Sequence, residues 1–184
     1  MKVPLLPKLL GFFLLASPLA ANDWPAYRAD GHRSAVSAEN IPAKLFANWI
    51  FQPRHAPRTA WPLSGEEEPR MHTDRAYHAV VTGTTLIFGN NVDNHIHALD
   101  TRTGKMKWSF SAEGSVRFAP MIDGGSVYFG SDDGNVYCVD AAEGTQIWKY
   151  RPAPSGERII GNGRMISLWP IRTGVLIENN ILYT

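Results

Sequence analysis

The feature that most constrains this chain is that it repeats itself. Val80 to Phe110 aligns with Met121 to Tyr150. Gly83, Phe88 and Gly89 match Gly124, Phe129 and Gly130, and Asp100, Gly104 and Trp108 match Asp140, Gly144 and Trp148. The period is about 40 residues. The slip between the two halves of the alignment falls in the Asn90–Asn94 turn, where an extra residue costs little. A third copy opens near the end, where Arg172 to Thr184 parallels Arg117 to Phe129. There Leu176-Ile177-Glu178-Asn179-Asn180 stands for Met121-Ile122-Asp123-Gly124-Gly125. Asn tolerates a positive φ and can replace Gly in the same turn. A chain built this way must stack like units, each burying its apolar face on the next.

Each full unit predicts four strands. In the second they are Val116–Ile122, Ser126–Gly130, Asn135–Asp140 and Gln146–Tyr150, with Asp123-Gly124-Gly125 and Ser131-Asp132-Asp133-Gly134 as hairpin turns. Four strands in such a period are the signature of a propeller blade, and the absence of 3.6-residue periodicity excludes a helical solenoid. The expected fold is therefore all-β, a β-propeller of four-stranded antiparallel blades, incomplete at about two full blades plus partial ones. The expected divisions are a signal peptide (1–21), an N-terminal segment with an outer strand around Trp49 (22–51), an insertion loop (52–75), blades at 76–110 and 111–151, a second insertion loop (152–170) and the start of another blade (171–184). That last segment stops in mid-strand.

Composition narrows the setting. The chain is 44% hydrophobic and 19% charged, a globular balance, with a formal net charge of +1. Near-neutral charge leaves no electrostatic footprint for nucleic acid. Lys2 and Lys8, the apolar Leu9–Leu19 run and the small Ala20-Ala21 read as a secretory signal, so the expected location is exported, periplasmic or extracellular. Cys would follow such a site in a lipoprotein; Asn22 stands there, so no lipid anchor is expected. The lone Cys138 lies in the apolar run Val136-Tyr137-Cys138-Val139 and reads as a small buried hydrophobe.

One motif is specific. Ala98, Asp100, Gly104 and Trp108 keep the spacing of Cys138, Asp140, Gly144 and Trp148. The small residue leaves room for an indole face, Asp accepts hydrogen bonds in the turn, Gly takes a positive φ, and Trp buries a large area. This pattern resembles the tryptophan-docking motif of pyrroloquinoline-quinone-type repeat propellers, the quinoprotein-like and BamB-like family. Asp23-Trp24-Pro25-Ala26-Tyr27-Arg28 is also similar to the opening of secreted members. The resemblance implies that each Trp stacks between its own small residue and the Gly peptide of an adjacent blade. It also implies one of two roles. The preferred role is a non-catalytic binding or scaffold module. It would engage a protein partner or small ligand on the propeller loop face. The alternative is the N-terminal piece of a quinoprotein oxidoreductase, alcohol dehydrogenase-like, with pyrroloquinoline quinone and calcium. Adjacent cysteines accompany the quinone in that group and are absent here, so no cofactor is expected.

Other candidates for chemistry are weak. Asp93, His95 and His97 alternate along one strand face, yet Asp133, Asn135 and Tyr137 stand there in the next repeat, which fits strand positions better than a metal site. Asp132-Asp133-Gly134-Asn135 lacks the alternating ligands and distal Glu of a calcium loop and reads as a turn. No phosphate loop or nucleophile elbow occurs, so no catalytic residue is assigned. Two long connections, Gln52–Arg75 and Pro152–Pro170, carry Arg and Gly, and both should emerge on the face of the second-to-third-strand turns. Arg117 and Arg172 occupy equivalent inner-strand positions and are candidates for lining a central channel, where guanidiniums either meet an anion or, more often, pair with carboxylates or face channel water.

Export should remove the first 21 or so residues. Intact-mass analysis of the product should then place its N-terminus near Asn22, and a product still carrying Met1 would contradict the signal reading.

Overall fold

A computed structural model describes residues 23–59, 76–161 and 163–184. The expected signal peptide (1–21) and the stretch holding Glu66-Glu67-Glu68 lie outside these residues. Strands, turns and extended segments make up the described residues, which include no helix.

The first blade is an antiparallel sheet in the order β1 (Ala79–Thr82), β2 (Thr85–Gly89), β3 (His95–Asp100) and β4 (Met106–Ser111). The second repeats it with β5 (Met121–Asp123), β6 (Ser126–Gly130), β7 (Val136–Asp140) and β8 (Gln146–Tyr150). Two hairpins follow: β9 (Arg158–Gly161) with β10 (Arg164–Ser167), and β11 (Leu176–Glu178) with β12 (Ile181–Tyr183). The fold is thus the expected propeller architecture, with three local corrections. The inner strand of the second blade starts at Met121, not Val116, because Val116 to Pro120 is spent on contacts between blades. The insertion after Pro152 contains the β9–β10 hairpin rather than only loop. Residues 47–51 lie extended without pairing into a strand.

The core lies between the blades. Val80, Ile87, Ile96 and Ala98 of the first sheet face Ile122, Val127, Phe129 and Val139 of the second, and all are buried. Phe110 of β4 reaches across edge-on to Phe129 and Tyr137, with ring centroids 6.0 and 5.7 Å away. The glycine that ends β2 allows close approach: a Cβ on Gly89 would stand 2.5 Å from Val116. The N-terminal segment crosses the inner strands. Trp24 exchanges two 2.9 Å backbone hydrogen bonds with Val81, and the Ile122 amide donates to Pro25 O at 2.7 Å. These contacts cover backbone groups that an inner edge strand would leave open.

Trp108 shows how one blade grips the next. Its cross-strand partner is Ala98, and its Nε1 donates to Ala141 O of the second blade at 3.0 Å. Its ring lies over Gly144, whose φ is +72° and whose added Cβ would stand 2.4 Å from the indole. Trp49 repeats the grip one step earlier, over Gly104, with Nε1 donating to Thr101 O at 2.8 Å. Asp100 Oδ1 accepts from the amides of Arg102 and Thr103 and from the Thr103 hydroxyl, and Asp140 Oδ1 accepts from the Ala142 and Glu143 amides. Both outer strands pair with the same irregularity, opposite Ala98 and Leu99 of β3 and opposite Cys138 and Val139 of β7, beside the indole. A bulge there bends the outer strand and re-aims its side chain. Trp148 pairs with Cys138 and tilts against Tyr128, at 5.8 Å between centroids. It remains 37% exposed, against 8% for Trp108.

That contrast sets a prediction. Trp108→Ala should cost on the order of 3–5 kcal/mol. Within these 184 residues Trp148→Ala should cost clearly less, because less of its area is removed from water. Denaturant midpoints of the two variants check the order.

Candidate functional site

The turns β2–β3 (90–94) and β6–β7 (131–135) sit at one end of the blades, and both long connections reach the same end. Hairpin β9–β10 inserts Arg164 beside the first turn. Its Nη1 donates to Asn91 O at 3.1 Å, Asn94 Oδ1 at 3.2 Å and Ser115 Oγ at 3.0 Å, and its Nη2 to Val92 O at 2.7 Å. From the other connection, the Arg58 amide donates to Asn91 Oδ1 at 2.9 Å. The Arg58 carbonyl in turn accepts from Arg117 Nη1 at 3.1 Å.

Asp132 organises what lies beneath. Its carboxylate is fully buried and accepts from Arg117 Nε at 2.7 Å and Arg172 Nε at 3.0 Å. Its amide donates to Ser115 O at 2.9 Å, and its carbonyl accepts from Ser167 N at 2.8 Å. One residue thus ties the second blade to the β4–β5 link, to β10 and to the approach to β11. A buried carboxylate needs such pairing, since an unpaired one would cost several kcal/mol in desolvation. Arg117 and Arg172 thus pair with a buried acid, one of the roles open to guanidiniums at those inner positions. Arg117 is itself buried.

The surroundings are cationic. Burial holds the Arg164 guanidinium below the usual arginine range, and the positive charges of Arg117 and Arg58 add to the effect. A small cleft is lined by Arg58, Thr59, Asn91, Arg117, Gly161 and Arg164. A neighbouring cleft of about 280 Å³ shares Arg164 and adds Val92, Asn94, Gly114, Ser115, Met165 and Ile166. Sequence reasoning placed Arg117, Arg172 and both connections separately. It missed Asp132, read only as a turn residue, and the roles of Arg58 and Arg164. The available signal was an Arg in each insertion.

A model of the family described as outer membrane protein assembly factor BamB matches residues 54–175. The chain belongs to that family. Among solved structures, this BamB-family chain is similar to a quinohemoprotein alcohol dehydrogenase from Comamonas testosteroni, at 19% identity and a TM-score of 0.55, over 85% of this chain and 22% of that one. It is also similar to BamB from Moraxella catarrhalis, at 24% identity and a TM-score of 0.36, over 38% of this chain and 21% of that one. A curated relative, tetrathionate hydrolase from Acidithiobacillus ferrooxidans, is 34% identical over 62 residues, 33% of this chain and 12% of that protein. The BamB-family chain therefore spans between about a tenth and a quarter of the length of these relatives.

The remaining candidates resolve as repeated architecture. Asp93 Oδ2 bonds His97 Nε2 at 2.9 Å, and Asp93 Oδ1 accepts from the His95 amide at 2.9 Å. In the second blade Asp133 does the same work: Oδ2 accepts from the Tyr137 hydroxyl, and Oδ1 accepts from the Asn135 amide at 2.9 Å. Ser109 Oγ lies 3.3 Å from His97 Nδ1, which completes a Ser–His–Asp chain on paper. Its counterpart is Lys149 against Tyr137, a chain without a nucleophilic hydroxyl, so the arrangement is a clamp from strand to turn. No group of three or more metal-ligating side chains occurs among the described residues. Cys138 is buried, and desolvation pushes its thiol up, away from thiolate chemistry.

Burial raises the Tyr137 phenol well above the tyrosine range, and its hydrogen bond to Asp133 adds to this. A group with a raised folded pKa contributes stability that is present below its unfolded pKa and lost as pH rises toward the folded value. Stability should therefore begin to fall above about pH 10, where unfolded Tyr ionises. Tyr137→Phe should remove that part of the alkaline loss. It should also cost about 1–3 kcal/mol at neutral pH, since Asp133 loses a buried donor. Urea midpoints measured from pH 7 to 11 for both proteins check the sign.

Proposed function

We propose that this chain is an exported, non-catalytic binding or scaffold module, working in the periplasm or outside the cell. It engages a protein partner or small ligand through the face carrying the 90–94 and 131–135 turns. One observation carries the reading. Two long connections from different points in the chain fold onto one face and are tied there, through Arg164 and through the Arg58 backbone, to the same Asn91. Surface loops fixed on a rigid sheet scaffold are where binding residues concentrate. The family description, an assembly factor for outer membrane proteins, agrees with a partner-binding role.

The second reading is an enzyme segment. The tetrathionate hydrolase relative favours it, because that protein's name records a reaction. Within these 184 residues Cys138 is the single cysteine, so this segment itself supplies no adjacent-cysteine pair.

A photo-crosslinking residue placed at Met165, exposed on the loop face, should give discrete adducts in the exporting cell. The same residue at Met106, exposed on β4, should not. Equal labelling would contradict the loop-face assignment. Titration with pyrroloquinoline quinone and calcium should give no saturable absorbance change. A stoichiometric complex that reduces an electron acceptor when alcohol is added would replace the binding reading with the enzymatic one.

A further inference from the structure

We propose that the cleft between Arg58 and Arg164 is a binding site for a small oxyanion, of the sulfate, phosphate or carboxylate class. The inference shares the loop face with the reading above but does not need a protein partner to hold.

Arg164 is the first argument. Four acceptors fix its guanidinium in place, and all four are neutral: two backbone carbonyls, an amide oxygen and a hydroxyl. They engage Nη1 and Nη2 and leave Nε–H without a hydrogen bond among the described residues. A guanidinium offers five N–H donors in a rigid fork, so this one is both oriented and unfilled. No carboxylate among the described residues forms an ion pair with it, since the buried acid below is engaged by Arg117 and Arg172.

Arg58 is the second. It is exposed, its backbone is held on both sides, and its guanidinium makes no hydrogen bond among the described residues. It lines the same cleft as Arg164, with Thr59, Asn91 and Gly161 supplying polar or open wall. Two guanidiniums facing one recess repel each other, and an anion between them removes that repulsion. The recess is small. It admits roughly one water or one oxygen of an anion. One oxygen would sit against Arg164 while the rest of the ion meets Arg58 at the mouth. The size selects a single oxyanion group over an extended organic cofactor.

The test is calorimetric titration of the exported chain with sulfate, inorganic phosphate and acetate at constant ionic strength, with thermal midpoints in parallel. Saturable binding of at least one ion, near one per chain, with a rise in midpoint, is expected. Arg58→Gln lies at the surface and should weaken binding about fivefold without lowering the unliganded midpoint, since it also relieves the repulsion between the guanidiniums. Arg164→Lys keeps the charge, loses the fork and should weaken binding at least as much; its circular dichroism shows whether the fold is intact. No saturable binding of any of the three ions would overturn the site. Binding that Arg58→Gln leaves unchanged would also overturn it, because the ion would then lie elsewhere. The Met165 crosslinking result is independent of both outcomes, so this site and the partner reading can fail separately.

Discussion

The structure depends on an indole laid flat on a glycine peptide. Trp49 over Gly104 and Trp108 over Gly144 are the same contact made twice, each with a hydrogen bond from Nε1 to a carbonyl of the following blade. The contact couples two requirements. Gly must be there for its positive φ, which a Cβ would strain, and also because a Cβ would stand within the ring. The hydrogen bond supplies direction that hydrophobic burial lacks. Blade spacing is thereby set by side chains on the outer strands, and the inner strands inherit it: Val116 closes on Gly89 as Ile171 closes on Gly130.

Asp132 plays a comparable part at the loop end. Its buried carboxylate draws two arginines from successive repeats, while its backbone ties down Ser115 and Ser167. Replacing such a group with an apolar one is often tolerable when its partners leave too, but leaving the partners behind is costly. The acid therefore fixes where the connections sit. It gives the loop face a rigid floor on which the cationic side chains of Arg58 and Arg164 are displayed. A rigid loop end and a cationic surface thus arise from the same set of contacts.

The fold was legible because its determinants are local or periodic. The Asp-to-Gly-to-Trp spacing, the paired turn glycines and the alternation of apolar residues are all visible along the chain, and each strand but one begins within a residue of its expected place in the second blade. The exception, Val116 to Pro120, reads as strand because it is apolar, yet it packs sideways between blades instead of pairing. The β9–β10 hairpin was hidden for the opposite reason: it lies in a segment rich in Pro, Gly and Arg, and short two-stranded pairs carry little pattern.

The sequence by itself determined the repeat, the propeller architecture and the docking residues, because a period of about 40 residues with Trp at its end has few ways to bury its faces. It also marked Arg117 and Arg172 as equivalent. What only the tertiary structure decided is what those arginines do. Whether a guanidinium faces a channel or a carboxylate depends on Asp132, which stands 15 residues from Arg117 and 40 from Arg172 in the chain. Likewise, Arg58 and Arg164 are distant in sequence, in unlike segments with no repeat relation. They meet because the stacked blades bring two unrelated loops to one end, and no one-dimensional pattern records a meeting set by three-dimensional packing.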